Sequence, residues 1–205
     1  NLLTLQRKTF YLNSDKDKPI TAGGVILFRI IKNDIELLLA DTRGTFEDLG
    51  GCVDKLDKDI LTTVAREAFE ESNELLNKRK IKSRLKAETP VYVEKMKYVV
   101  YVIEANDDEK KLASGDFGSI EHHDQIERTI KWIPLSILII PEIFRDKLNW
   151  RIKNRKIFDK IKEKKEDKKI NSNLFNSDSD KRENIIKKKV KSEDTLKKKV
   201  KSTKT

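Results

Sequence analysis

Apolar residues recur along the first three quarters of this chain in two distinct periods, and a polar stretch follows. From residue 21 to Ile31 the pattern is a near-continuous apolar run opened by Ala22-Gly23-Gly24, and residues 35–40 repeat it after the turn signal Asn33-Asp34. Two such runs around a short polar turn predict a β-hairpin. From Asp59 the period changes to three or four: Ile60, Leu61, Val64, Ala65, Ala68 and Phe69 form one stripe, which predicts a helix over residues 59–73. Residues 90–93 and 98–104 are β-branched and aromatic, the second reading as a strand buried on both faces. Residues 41–51 and 106–126 are polar and glycine-containing and predict loops, the latter long enough to carry function. A short strand over 130–133 ends at Pro134. Pro141 then opens a helical pattern in which Ile143, Phe144, Leu148, Ile152, Ile157, Phe158 and Ile161 face a sheet.

From about Glu163 the chain is nearly all Lys, Glu, Asp, Asn and Ser, which predicts disorder and divides it into a domain at 1–162 and a basic tail at 163–205. Within the tail, Lys187-Lys188-Lys189-Val190-Lys191-Ser192 recurs as Lys197-Lys198-Lys199-Val200-Lys201-Ser202. Residues 160–205 hold 17 Lys and Arg against 8 Asp and Glu, a surplus that accounts for nearly all of the net charge of +10. The basicity therefore belongs to the tail. A lysine-rich run attracts phosphate polymers such as RNA and is similar to nuclear localisation signals; a solubilising role is the alternative. A single cysteine, Cys52, excludes an internal disulfide, and no apolar run reaches the roughly 20 residues that span a bilayer. A reducing, cytoplasmic setting is the expectation, with a nuclear one open through the tail and no membrane partner. The chain opens at Asn1 rather than at a methionine, which leaves room for residues upstream.

The chemistry concentrates in Arg66-Glu67-Ala68-Phe69-Glu70-Glu71, on the predicted helix and preceded by Gly50-Gly51. Glu67, Glu70 and Glu71 are three or four residues apart, so helical geometry gathers them opposite the apolar stripe, flanked by Arg66. Like charges that close repel unless a cation joins them. A solvated helix face is the plain alternative, and the glycine pair and polar loop ahead of the helix weigh against it.

This stretch resembles the signature of the Nudix hydrolases: Gly, five residues, Glu, seven residues, then Arg-Glu-apolar-x-Glu-Glu-x-Gly-apolar. Read from Gly51, Asp57 stands where the family has its first Glu, with one extra residue before Arg66, so either Asp57 or Asp59 is the counterpart. Asn73 replaces the helix-ending glycine, a mild change because Asn tolerates the left-handed conformation. Leu49 stands where many members have Pro, in a segment (Phe46-Glu47-Asp48-Leu49-Gly50-Gly51) that otherwise resembles the family lead-in. Lys131-Trp132-Ile133-Pro134-Leu135 resembles the family's late Trp-x-Pro-apolar element.

The resemblance implies an α/β fold, an α/β/α sandwich with a mixed sheet, here followed by a C-terminal helix and the disordered Lys-rich tail. It also implies metal-dependent hydrolysis of a nucleoside diphosphate linked to another moiety, with Mg²⁺ or Mn²⁺ as cofactor. By position, Glu67, Glu70, Glu71 and Gly51 match the metal-binding residues, Glu67 and Glu70 also serving catalysis, and Arg66 matches the arginine that orients a glutamate. The general base is a box glutamate or a residue of the loop before the last strand; Glu121, His122, His123, Asp124 and Glu127 are available there, and Glu127 is preferred. Arg43 is the candidate for substrate phosphate. Cys52 lacks any Cys/His context and reads as a small residue in a glycine loop. The substrate is a nucleotide-derived small molecule or a capped RNA end, the latter favoured by the tail. A catalytically inactive Nudix-like module that binds a nucleotide or a protein is the competing function.

Overall fold

The computed structural model describes residues 8–170, and its first compact unit ends at Ile161. Phe10–Tyr11 (β1) and Pro19–Ile20 (β2) pair as a small hairpin of their own. The main sheet is built from Ala22–Ile31 (β3), Asp34–Thr42 (β4), Thr45–Glu47 (β5), Leu49–Cys52 (β6), Val91–Val93 (β7), Tyr98–Glu104 (β8) and Thr129–Pro134 (β9). It is mixed: β3 runs parallel to β8 and antiparallel to β4 and β6, while β4 runs antiparallel to β5 and β9. The predicted hairpin is β3–β4, closed by Lys32 and Asn33 at φ 46° and 70°, the left-handed turn that matches strand twist.

Both faces of this sheet are buried, because successive side chains alternate and each set is apolar. Val25 and Leu27 of β3, Leu38 and Ala40 of β4, and Val99, Tyr101 and Ile103 of β8 join one core. Against it pack Ile60–Glu71 (α1) and Lys78–Leu85 (α2). Ile26 and Phe28, Leu37 and Leu39, and Tyr98, Val100 and Val102 join the other. That second core is covered by Leu135–Leu138 (α3), by Phe144 of Pro141–Asp146 (α4), and by Leu148, Ile152, Ile157, Phe158 and Ile161. The expected α/β/α sandwich around a mixed sheet is therefore the architecture.

Several elements depart from the sequence reading. Residues 41–51 are not one loop: β5 and β6 lie in them, too short and too glycine-rich to show a period of two. α2 is unforeseen because Lys and Arg dominate it; only Ile81 and Leu85, four apart, reach the core, after Leu76. Asn77 caps it, accepting from the backbone N–H groups of Arg79 and Lys80. The pattern from Pro141 is not one helix. α4 stops at Asp146, and helix resumes at residue 155 after Asn154 accepts from the Lys156 N–H at 3.1 Å. Phe69, assigned to the apolar stripe, stays outside the core cluster and lies beneath Lys78, 5.1 Å from its ring centre.

Residues 163–170 are helical, where the composition predicts disorder; Lys and Glu are good helix formers and no Gly or Pro interrupts them. The two lysine repeats and the rest of the basic tail lie outside the described residues. Among the described residues no helix is long and apolar enough to cross a membrane.

Candidate metal-dependent active site

β6 and α1 position the acidic residues. Gly51 and Gly50 of β6 pair with Gly23 and Gly24 of β3, a contact in which side chains have no room. A Cβ on Gly24 would lie 2.1 Å from Asp48 Oδ2 and 2.8 Å from the Leu49 carbonyl oxygen. A Cβ on Gly51 would lie 2.5 Å from the Glu67 carboxyl carbon. The Glu67 carboxylate thus rests directly on the Gly51 backbone, which only glycine permits. Leu49, where the family resemblance points to proline, is a fully buried strand residue paired with Val25.

Asp59 caps α1, its Oδ1 accepting from the Thr62 N–H at 2.6 Å. Asp57 is the partner of Arg66: Arg66 Nε donates to Asp57 Oδ1 at 3.2 Å and Nη2 to Oδ2 at 3.0 Å. Of the two aspartates that the sequence leaves open, Asp59 is thus a helix cap and Asp57 an anchor for Arg66. Asp57 is 3% exposed and also accepts from Thr63 Oγ1 and the Asp54 N–H, both at 2.9 Å. Burial raises its pKa, but Arg66, the Asp54 N–H and Thr63 outweigh this and hold it below the usual carboxylate range.

Arg66 uses the rest of its fork on the acidic cluster. Its Nη1 lies 2.8 Å from Glu70 Oε2 and 2.9 Å from Glu67 Oε1, and Nη2 donates to the Cys52 carbonyl at 2.9 Å. The guanidinium therefore ties the end of β6, the polar loop and two turns of α1 into one unit. Burial opposes its charge, yet Asp57, Glu67 and Glu70 hold it protonated above its usual range. Glu71 is turned the other way and accepts from the Gly50 N–H at 2.8 Å. Asn73, the substitute for glycine, is left-handed at φ 51°. Its amide donates to the Phe117 and Ile120 carbonyls at 2.7 and 2.9 Å and accepts from the His122 N–H at 3.0 Å. A glycine could not make these bonds, which fasten the loop to the end of α1.

Glu67, Glu70 and Glu71 line one cleft of about 420 Å³ together with Arg66, Glu121, His123 and Asp124. Burial pushes the Glu67 carboxyl up to about 7, against the pull of Arg66. Burial pushes Glu71 well above the usual range, against the pull of Arg151. Not every predicted residue is here. Glu127 is exposed and lines a neighbouring cleft of about 790 Å³ with Arg43, apart from the three glutamates. His122 contributes a backbone N–H rather than a lining side chain.

The sequence reading missed a second buried network in the same wall. Arg151 Nε lies 2.8 Å from Asp48 Oδ1 and its Nη2 lies 2.9 Å from Glu47 Oε2. Tyr98 Oη donates to Asp48 Oδ2 at 2.8 Å. Residues 147–149 run beside β5, with the Phe46 N–H donating to the Lys147 carbonyl and the Asn149 N–H to the Phe46 carbonyl at 2.7 and 2.9 Å, and so deliver Arg151. Only the position of Glu47 and Asp48 in the glycine-pair lead-in hinted at this. Arg128 was missed as well: it is 5% exposed and lines both clefts.

The donor chemistry fits a hard divalent cation, being a set of carboxylate oxygens with two whose charge burial disfavours. Among the described residues, however, no three His, Cys, Asp or Glu side chains are already gathered as ligands. Glu67 and Glu70 are turned onto Arg66 and Glu71 onto Gly50.

No protein-family model matches the chain, and no curated protein does. Among solved structures, the chain is similar to a C. elegans Ap4A hydrolase in a binary complex, with 20% identity and a TM-score of 0.36 over 58% of this chain and 83% of the other. A second C. elegans Ap4A hydrolase structure gives 19% and 0.35 over 58% and 84%. Shewanella oneidensis NrtR gives 18% and 0.34 over 60% and 56%. Likenesses of this degree assign the chain neither a family nor an activity.

Proposed function

We propose that this protein is a metal-dependent pyrophosphohydrolase that cleaves a nucleoside diphosphate linked to another moiety. One observation carries the reading: Glu67, Glu70 and Glu71, from a single stretch of α1, line one polar cleft beside a β6 glycine on which no side chain fits. A solvated helix face would leave these carboxylates exposed and unanchored, whereas Glu67, Glu70 and Glu71 are half-buried and each is held by a named partner.

Glu67, Glu70 and Glu71 would hold Mg²⁺ or Mn²⁺. Such a cation neutralises phosphate charge, polarises the phosphoryl group and makes a bound water more acidic. The chain's own residues do the positioning. Asp57 holds Arg66, and Arg66 holds Glu67 and Glu70 in register on α1. Gly51 lets the backbone approach Glu67. With no cation bound, burial pushes the Glu67 carboxyl up to about 7, so its charge is disfavoured until a cation compensates it. Glu121 and Asp124 are the loop carboxylates in the same cleft, so the base is drawn from Glu67, Glu70 or these two before Glu127.

Within this class, a capped RNA end is the substrate that the lysine surplus of residues 160–205 favours, since phosphate contacts supply affinity without sequence readout. The inactive nucleotide-binding module is the competing reading, since Glu67 and Glu70 are engaged by Arg66 and Glu71 by Gly50, and no ligand set is ready-gathered among the described residues. One experiment separates them: phosphate release from a panel of nucleotide anhydrides and a capped RNA, with Mg²⁺, with Mn²⁺ and with chelator. Hydrolysis that needs the metal and is abolished in Glu70→Gln and Glu71→Gln, with melting temperatures kept within a few degrees, is expected. Binding without turnover in every metal would establish the inactive module instead, and unfolding of both variants would make the cluster structural.

A further inference from the structure

Arg128 sits just ahead of β9, where its backbone N–H donates to the Ser119 carbonyl at 2.9 Å. The residue is 5% exposed, and its three guanidinium nitrogens are buried with no hydrogen-bond partner among the described residues. Five N–H donors are thus withdrawn from water and left unmet, a costly arrangement for a charged group. The two other arginines of the cleft are half-buried and carry ion pairs, Arg66 with Asp57, Glu67 and Glu70, and Arg151 with Asp48 and Glu47; the Arg151 Nε, though 2.8 Å from Asp48, also lacks a well-directed hydrogen bond, so only Arg128 has its whole fork unmet.

Acidic groups stand close by and do not pair with Arg128. Glu71 is occupied by the Gly50 N–H, and Glu121 by the His123 and Asp124 N–H groups at 2.8 Å each. Thr42, Ile126 and Arg128 line both the acidic cleft and the neighbouring one that contains Arg43, so the unmet fork lies at their junction. Native structures tolerate such an orphan where a ligand satisfies it.

We infer that Arg128 is a substrate-binding residue whose fork takes a phosphate at the junction of the two clefts, and that the substrate is an anhydride whose phosphate chain runs from the glutamates toward Arg43. A planar fork matches two phosphate oxygens at once, which a lysine cannot reproduce. The inference rests on the hydrolase reading for the name substrate, yet it is tested without turnover.

The probe is inorganic tripolyphosphate at fixed excess Mg²⁺, and the readout is the melting temperature of the full chain. Phosphate held by side chains open to water in both folded and unfolded chains cancels from this shift, so surface lysines do not obscure it. A rise of roughly 5 °C at saturating probe is expected for the wild type. Arg128→Met should abolish the rise, and Arg128→Lys should bind about tenfold more weakly and keep only part of it. Without probe, Arg128→Met should melt at or above the wild type, because an uncompensated buried charge has been replaced by a side chain of similar volume.

The proposal is overturned by a wild type that the probe does not shift, by variants shifted as much as the wild type, or by an Arg128→Met protein that melts well below it. The hydrolase reading has its own readout. Loss of the shift in the variants with no wild-type hydrolysis would sink that reading alone, and hydrolysis with unchanged KM in Arg128→Met would sink this one alone.

Discussion

Replacing Gly51 by alanine separates the site from the scaffold more cleanly than removing a carboxylate does. The added Cβ would lie 2.5 Å from the carboxyl carbon and Oε2 of Glu67 and 2.6 Å from Oε1. Ordinary contact needs about 1 Å more, so the carboxylate must retreat by roughly that distance. Retreat is inexpensive for the fold, because the obstacle is the far end of a long side chain and not backbone. It is expensive for chemistry, since a misplacement of about 1 Å costs on the order of a hundredfold in rate. Gly24→Ala is the matched control on the paired strand. Its Cβ meets Asp48 Oδ2 at 2.1 Å, Tyr98 Oη at 2.3 Å and the Leu49 carbonyl at 2.8 Å, a buried network and a backbone atom that cannot turn away. Overpacking of that kind costs about 3 kcal/mol and lowers the melting temperature by roughly 6–12 °C. Steady-state hydrolysis and thermal denaturation of the two variants are the assay. Gly51→Ala should melt within a few degrees of the wild type and lose about a hundredfold in kcat/KM. Full activity in Gly51→Ala would refute the reasoning, because Glu67 could then be displaced without consequence.

Asp57→Asn removes the anchor of Arg66, and since Arg66 keeps Glu67, Glu70 and the Cys52 carbonyl, the loss should be about 3 kcal/mol in chemical denaturation. The folded Asp57 pKa lies below its ordinary 3.8, so its contribution is present above 3.8 and is lost as pH falls through the folded value. The variant should lack that acid limb, and an unchanged limb would contradict the assignment. Glu67 has the opposite sign: its carboxyl is raised from 4.5 to about 7, so without metal its contribution to stability is lost as pH rises through that window. Mg²⁺ should therefore raise the melting temperature more at pH 8 than at pH 5.5, and Glu67→Gln should flatten the difference; equal shifts at both pH values would count against a metal on Glu67.

The long, strongly patterned elements were legible because burial on one or both faces writes a period into the sequence. β3, β4, β8 and α1 lie within two residues of expectation for that reason. β5 and β6 left no such trace, since strands of three and four residues with glycines at the contact cannot alternate. α2 stayed hidden because two apolar side chains secure it among lysines and arginines. The carboxylates of α1 were readable from helical spacing, and so was the need for a glycine beneath them. What spacing could not reveal was which partner each charge would find. Asp48 and Arg151 stand 103 residues apart and meet only through the sheet and the segment beside β5. Arg128 was overlooked in favour of its neighbour Glu127, because a strand start sends adjacent side chains to opposite sides, and here the arginine points inward.

A hydrolase of this kind requires that one dication be held by the carboxylates of α1. Electron paramagnetic resonance of Mn²⁺ titrated into the wild type, Glu67→Gln and Glu71→Gln measures this directly. Quenching of the aqueous Mn²⁺ signal by the wild type, at least tenfold weaker in either variant, is the predicted result. Equal Mn²⁺ uptake by all three proteins would contradict it.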